Sequence, residues 1–187
     1  GIARYNVTAV RVTDAQHATT WKGEIDLASG TVATTYSRMT NVVYGVRSAE
    51  LPRFKVICRR LTASVGGTVD CYLGYRANSS TDLQDGIYFR MTNGADWFLV
   101  ARNSGTESTV DMGIAPTTSN IILEFRFNTA TSIQAYYNNR PVGAPIMSNI
   151  PTGILGIHAG VDTRAAIVTT ALVMRVSGWG WRTTRGG

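Results

Sequence analysis

The chain has 187 residues, 44% hydrophobic and 16% charged, a composition that fits one folded domain and excludes intrinsic disorder. No apolar run approaches the length that a membrane-spanning helix needs. The formal net charge is +6, but only Lys22 and Lys55 are lysines among eighteen basic residues. The sequence has no run of basic residues of the kind that binds along a phosphate backbone. We therefore expect neither a nucleic-acid partner nor a membrane span.

Strand signals recur along the chain, separated by Gly, Asn, Asp, Ser, Thr and Pro, while helical periodicity is nearly absent. This pattern predicts an all-β, antiparallel β-sandwich with little or no helix. The candidate strands are Tyr5–Val12, Val42–Val46, Phe54–Ala63, Val69–Ala77, Ile87–Met91, Trp97–Arg102, Thr106–Met112, Ile121–Asn128, Ser132–Asn138, Ile154–Val161 and Ala165–Val176.

The composition also suggests domain boundaries. Residues 1–40 are rich in Thr and Ala and predict an N-terminal arm or peripheral strands, residues 41–178 predict the sandwich, and residues 179–187 predict a polar tail. We expect Trp179, Trp181 and Arg182 in that tail to serve attachment, because aromatic anchors in terminal segments order on docking. The start at Gly1 leads us to expect a processed, trimmed or partial chain.

The stretch Asp85–Ser108 has the chemistry of a ligand site and also the alternation of plain strands. Asn93-Gly94 predicts a type I′ hairpin turn, with Arg90 opposite Trp97. A three-residue loop at 103–105 would then bring Trp97 opposite Asp111. The resulting apolar face, which we expect in the core, comprises Ile87, Phe89, Phe98, Val100 and Val110.

The other predicted face carries a row of Arg90, Trp97 and Asp111 beside Tyr88. Cross-strand and cation–π contacts would make this row purely structural. The same residue types are also enriched at binding hot spots, so the alternative is a ligand-binding surface in which a sugar stacks on Trp97 or Tyr88.

Several motifs between residues 50 and 176 follow one another in a familiar order. They are the Asn93-Gly94 turn, Trp97, Gly105-Thr106-Glu107 with Asp111 and Gly113, Glu124-Phe125 with Tyr136–Asn139, Ser148–Pro151, and the closing strand Ala171–Val176. This succession resembles the concanavalin A-like (laminin G-like) jelly-roll modules of tailed-phage virion proteins. Two departures are Asn138-Asn139 in place of an Asn-Gly turn, which Asn tolerates, and Leu172–Met174 in place of an acidic segment.

The resemblance implies a non-enzymatic virion structural protein on the particle surface: a capsid decoration, head-fibre or tail-fibre module. Its partners would be other virion proteins and further copies of itself in a homo-oligomer, with cell-surface glycans as an additional ligand. The alternative is a carbohydrate-binding, lectin-like module, and behind it a glycoside hydrolase.

Catalytic motifs are weak in the sequence. Glycosidases need paired carboxylates, and Glu24-Ile25-Asp26 lacks a third acid because position 29 is Ser. A Ser–His–acid triad has only His17 and His158 to draw on, and neither lies beside a nucleophile motif. We therefore expect no catalytic residues and no enzymatic activity.

The sequence also contains few residues suited to metal binding or redox chemistry. Cys58 and Cys71 are the only cysteines, and without a CxxC motif or a nearby His they predict unpaired core thiols, with one disulfide as the alternative. No metal site is expected, except that Asn78, Asp82 and Asp85 offer oxygen ligands for calcium.

Overall fold

A computed structural model describes residues 20–21, 24–28, 36–63, 68–77, 85–165 and 172–182. Within these ranges the helical content is one 3₁₀ turn, Ser48–Glu50, and no helix is long and apolar enough to cross a membrane. The strands are β1 Thr20–Trp21, β2 Glu24–Ala28, β3 Tyr36–Val46, β4 Arg53–Thr62, β5 Thr68–Arg76, β6 Gly86–Thr92, β7 Phe98–Asn103, β8 Thr106–Asp111, β9 Ile121–Thr129, β10 Ser132–Tyr137, β11 Arg140–Ile146, β12 Leu155–Ala165 and β13 Val173–Arg182.

The strands form two antiparallel sheets. The seven-stranded sheet has the order β1-β2-β13-β4-β9-β10-β11, and the six-stranded sheet has the order β3-β12-β5-β6-β7-β8. The predicted all-β sandwich is therefore confirmed. The predicted strand Tyr5–Val12 lies outside the described residues.

The core lies between the inner faces of the two sheets. Phe54 of β4 and Phe125 of β9 meet Tyr75 of β5 and Phe89 of β6, with ring centroids 5.4–5.6 Å apart across the interface. Aromatic pairs at this spacing add about 0.5–1.5 kcal/mol beyond their area burial. These rings fix which face of each sheet points inward.

The β6–β7 hairpin differs from its predicted register by one residue. Asn93 and Gly94 do form a turn with positive φ, closed by a hydrogen bond from Ala95 N to Thr92 O. However, one additional residue follows before pairing resumes, so Arg90 lies opposite Phe98. A shift of one residue moves every side chain to the other face.

Trp97 consequently lies in the core, fully buried, and its backbone bonds to Ile114 and Met112. Phe98 and Val100, predicted in the core, instead face outward, where Val100 packs with Tyr72 and Tyr88 and Phe98 lies against them. The prediction of which face these residues occupy was wrong because the turn dipeptide fixes the turn type but not where the next strand resumes.

The β7–β8 turn is one residue shorter than predicted. Ser104 and Gly105 both have positive φ, so the connection is a two-residue turn and Phe98 lies opposite Asp111. The two shifts compensate, because Arg90 and Asp111 share a row as predicted, now with Phe98 between them.

Strand β11 has no counterpart among the predicted strands. Its sequence contains Pro141, Gly143 and Pro145, residues that argue against a central strand. β11 is the edge strand of its sheet, where a missing N–H costs no ladder hydrogen bond.

The C-terminal aromatic segment continues a sheet. β13 runs to Arg182 and pairs Trp179, Trp181 and Arg182 with β4, so these residues belong to a paired strand. Their attachment role stays a prediction, as do the domain boundaries.

Cys58 and Cys71 are buried and unbonded, as predicted. Burial raises the pKa of Cys58 to about 12 and raises that of Cys71 well above its ordinary value. Both thiols therefore act as small core residues.

Glu124 is a buried acid on the outer face of the seven-stranded sheet. Glu124 is fully buried and receives hydrogen bonds from Arg53 and Arg126, and Arg126 in turn stacks on Tyr136 at 4.1 Å. Burial alone would raise the pKa of Glu124, but the hydrogen bonds from Arg126 and Arg53 outweigh it, and the net pKa is lowered. The ionised carboxylate thus ties β4 to β9.

We expect Trp97→Ala to lower the free energy of unfolding by about 3–5 kcal/mol, because it leaves a large cavity between the sheets. Thr109→Ala, at an exposed position of β8, should change it by no more than about 0.5 kcal/mol. Urea denaturation of both variants checks this. Equal, small losses would show that Trp97 is not a core residue.

Glu124 should make stability depend on pH in the acid range. Its lowered folded-state pKa means that its contribution is present above the unfolded-state pKa of about 4.3 and is lost as pH falls through the folded-state value. In denaturation curves from about pH 7 to pH 3, wild type should lose this contribution. Glu124→Gln should lack it and be less stable at neutral pH by about 1–3 kcal/mol, whereas Asp96→Asn should behave like wild type.

Candidate functional site

The outer face of the six-stranded sheet is unusually aromatic and charged for a sheet surface. Because side chains alternate along β5, Cys71, Leu73 and Tyr75 point into the core while Tyr72 and Arg76 point outward. Strand pairing brings further outward residues beside them: His158, Gly160 and Asp162 on β12, Tyr88 and Arg90 on β6, Phe98 and Val100 on β7, and Glu107 and Asp111 on β8.

Gly160 makes room for the ring of Tyr72. The two residues are cross-strand partners, and a Cβ at position 160 would lie 2.6 Å from the Cζ and hydroxyl oxygen of Tyr72. With the ring in this space, the Tyr72 hydroxyl donates a 2.8 Å hydrogen bond to Asp162 Oδ1. The glycine therefore positions a hydroxyl–carboxylate pair.

Arg76 folds back over the middle of this face. Tyr72 and Arg76 are four residues apart on one strand, roughly 13 Å, yet the guanidinium carbon lies 4.3 Å from the Tyr72 ring centroid and 5.7 Å from that of Tyr88. The intervening outward residue is Gly74, where a Cβ would lie 2.4 Å from Ile87 O and 2.6 Å from Tyr88 Cα, so glycine lets β6 approach closely. His158, opposite Gly74, completes the group with its ring 5.3 Å from Tyr72.

Glu107 organises the β6–β8 side of the face. It accepts hydrogen bonds from Arg90 at 2.9 and 3.0 Å and from Arg102 at 3.1 Å, and the Tyr88 hydroxyl reaches it at 3.5 Å. Burial raises the pKa of Tyr88, and the Glu107 charge adds to this while three arginines oppose it. Tyr88 is therefore a neutral donor near neutral pH.

Two carboxylates oppose each other on adjacent strands at the Tyr72 end of the face. Asp70 of β5 and Asp162 of β12 are direct cross-strand partners, both almost fully buried. Thr92 donates to Asp70, and Tyr72 donates to Asp162. Directly opposed strand residues have Cβ atoms about 4.5–5.5 Å apart.

This arrangement supports two kinds of chemistry. Aromatic rings beside charged donors and acceptors suit a sugar, whose apolar ring faces stack while its hydroxyls hydrogen-bond. Two opposed carboxyl groups are the groups that glycoside hydrolysis uses, about 5–5.5 Å apart in retaining enzymes. The sequence search missed Asp70 and Asp162 because only strand pairing brings them together. The sequence pattern that could have indicated this pair is one acidic residue at an outward position of each of two neighbouring strands.

The four predicted ligand-binding residues are only partly brought together. Tyr88, Arg90 and Asp111 share the outer face, Asp111 being exposed at its edge. Trp97 lies in the core and does not reach this face. Phe98, half-buried, occupies the place predicted for Trp97.

The remaining sequence candidates fall elsewhere. Asp26 of the Glu24-Ile25-Asp26 motif binds Arg175 through both oxygens, at 2.6 and 2.7 Å, on the seven-stranded sheet. His17, Asn78 and Asp82 lie outside the described residues, and Asp85 accepts a hydrogen bond from Gly105 N. The described residues contain no cluster of three or more acidic, His or Cys side chains that would hold a metal, and calcium stays a prediction.

Solved structures of carbohydrate-active proteins share this fold. A glycosidic hydrolase matches 90% of this chain and 81% of its own, with a TM-score of 0.65 and 14% identity. A Bacillus licheniformis β-glucanase matches 87% and 78%, with a TM-score of 0.60 and 15% identity. An alginate lyase in complex with dimannuronate matches 88% and 76%, with a TM-score of 0.63 and 6% identity. No family model and no curated protein sequence matches the chain.

At these identities the likeness shows the fold alone, a concanavalin-like jelly roll, and this part of the sequence resemblance is confirmed. The virion part gains no support from the comparisons. The particle location, virion partners and homo-oligomer stay predictions.

The expectation that the chain is not an enzyme was wrong. The similar structures are a hydrolase, a glucanase and a lyase, so this fold carries carbohydrate-cleaving chemistry in proteins that share no recognisable sequence with the chain. The expectation rested on motifs within single strands, whereas the carboxylates of this face come from separate strands.

A double-mutant cycle tests the fit between Gly160 and Tyr72. We expect Gly160→Ala to destabilise wild type by about 1–3 kcal/mol, because the added Cβ overlaps the Tyr72 ring. In a Tyr72→Ala background the same change should cost little, giving a coupling of about 1 kcal/mol or more. Additive losses in urea denaturation would mean that the ring does not occupy this space.

Proposed function

We propose that this protein binds and cleaves a carbohydrate on the outer face of the six-stranded sheet. The observation that carries the proposal is the gathering of Tyr72, Tyr88, Phe98 and the opposed pair Asp70 and Asp162 on this one face. A typical outer face alternates into solvent with polar residues, whereas this one combines stacking surfaces with carboxylates. Glycosidic and lyase activities among the structures of this fold support the same conclusion.

The sugar would enter over the β6–β8 side, where Arg90, Phe98 and Glu107 are half-buried. Phe98 presents its ring between Arg90 and Asp111, so an apolar sugar face can lie on it while the flanking groups contact hydroxyls. Such stacking places neighbouring sugar units toward Tyr88 and the interior of the face.

Asp70 and Asp162 would supply the acid–base chemistry. In hydrolysis, one carboxylic acid gives its proton to the glycosidic oxygen as the bond to the anomeric carbon breaks, and the other carboxylate attacks that carbon or activates a water. Each carboxyl group accepts a hydrogen bond from a hydroxyl, Asp162 from Tyr72 and Asp70 from Thr92, and either one can take either role.

We expect release of reducing ends from one or more members of a panel of neutral and acidic polysaccharides. Asp162→Asn and Asp70→Asn should each lower turnover by about 10²-fold or more, while Asp96→Asn, in the β6–β7 loop, should leave it unchanged. Ultraviolet absorbance of the products separates hydrolysis from elimination, since only elimination leaves a carbon–carbon double bond.

Binding is tested separately by affinity electrophoresis in the same polysaccharides. Phe98→Ala should weaken retardation, and Tyr136→Ala, which removes an arginine-stacked ring from the opposite sheet, should not. If no polysaccharide is retarded or cleaved, or if both aspartate variants turn over at the wild-type rate, the proposal fails.

A further inference from the structure

Arg76 differs from the other arginines of the described chain. Those that form ion pairs, at positions 53, 90, 102, 126 and 175, each face Glu107, Glu124 or Asp26. Arg76 is the one arginine in the buried set of described residues, at 4% exposure. Its Nε and Nη1 atoms have no hydrogen-bond partner in the part of the chain that the structure describes.

A buried guanidinium without an anion is costly. Removing a guanidinium from water without a hydrogen-bonding anion is unfavourable. Stacking on Tyr72 and Tyr88 offsets only part of that cost. The nearby carboxylates already have other donors, since Asp162 binds Tyr72 and Glu107 binds Arg90 and Arg102.

Glycines flank Arg76 in the sheet. In strand register it lies between Gly156 on β12 and Gly86 on β6, and Gly74 precedes it on the same face. A Cβ at position 86 would lie 2.4 Å from Tyr75 O and 3.0 Å from Arg76 Cα, so glycine lets β6 pack closely against β5 here. The cross-strand neighbours of Arg76 therefore offer it no side-chain acceptor.

We infer that Arg76 binds the carboxylate of an acidic sugar, so that the glycan recognised on this face is a uronic-acid polymer. This inference rests on the proposed function and adds its substrate class. A guanidinium is planar and matches a carboxylate in shape and charge. Tyr72 and Tyr88 hold its plane in one orientation, and the sugar ring that carries the carboxylate lies over the glycines beside it.

The test uses matched ligands. Oligouronates of mannuronic and of galacturonic acid are titrated calorimetrically into the full chain, each beside its carboxyl-reduced counterpart, which keeps the linkage and loses the charge. Wild type should bind at least one acidic form roughly ten- to hundredfold more tightly than its neutral counterpart. Arg76→Met should bind the acidic form and its neutral counterpart equally.

Two further variants separate the local contact from net charge. Arg76→Lys keeps the positive charge but loses the planar guanidinium, so it should retain only part of the preference for the acidic form. The same variant tests the inference if Arg76→Met does not fold. Arg140→Met removes an exposed charge from β11 and should keep the preference whole. An equal loss in Arg140→Met would overturn the inference, because it would assign the effect to net charge.

The outcomes distinguish this inference from the proposed function. Equal binding of acidic and neutral forms by wild type would overturn the acidic-sugar inference and leave the proposed function standing. Failure to bind either form would also overturn the acidic-sugar inference, and the proposed function would fall with it only if no polysaccharide of the panel is retarded or cleaved.

Discussion

The alternation of side chains along β5 is the constraint on which the rest of the structure depends. Leu73 and Tyr75 must enter the core, so Tyr72, Gly74 and Arg76 must face outward. Pairing with β12 and β6 then fixes the positions of His158, Asp162 and Tyr88 around them. Core packing between the sheets and the chemistry of the outer face are therefore two consequences of one register, and a slip of one residue would destroy both.

Glycines and arginines have complementary roles on the outer face of the six-stranded sheet. Gly160 accepts the Tyr72 ring, and Gly74 lets the backbone of β6 approach β5 closely. Glu107 neutralises Arg90 and Arg102, whereas the Arg76 guanidinium packs against the rings of Tyr72 and Tyr88. The seven-stranded sheet pairs its buried Glu124 with Arg53 and Arg126. The six-stranded sheet leaves Nε and Nη1 of Arg76 without a hydrogen-bond partner among the described residues.

The sequence predicts the class of fold and most of its strands, because two-residue periodicity and turn residues are local signals. It fails where placement depends on tertiary contact. The Asn93-Gly94 turn was recognised, but the extra residue before Phe98 is fixed by burial of Trp97, which no local pattern reports. The edge strand β11 was missed because its prolines are tolerated only at an edge. The pairing of Asp70 with Asp162 depends on the register between two strands that are far apart in sequence. No motif within one strand indicates this candidate acid–base pair.

The central claim is that the outer face of the six-stranded sheet, and not that of the seven-stranded sheet, receives a carbohydrate. Mapping of backbone amide chemical shifts by NMR, during titration with an oligouronate, tests it most directly. The account predicts that the largest changes fall on β5 and β6, at Gly74, Arg76 and Tyr88, with none at Lys55 or Glu124. Changes concentrated on β4 and β9, with β5 and β6 unaffected, would contradict it.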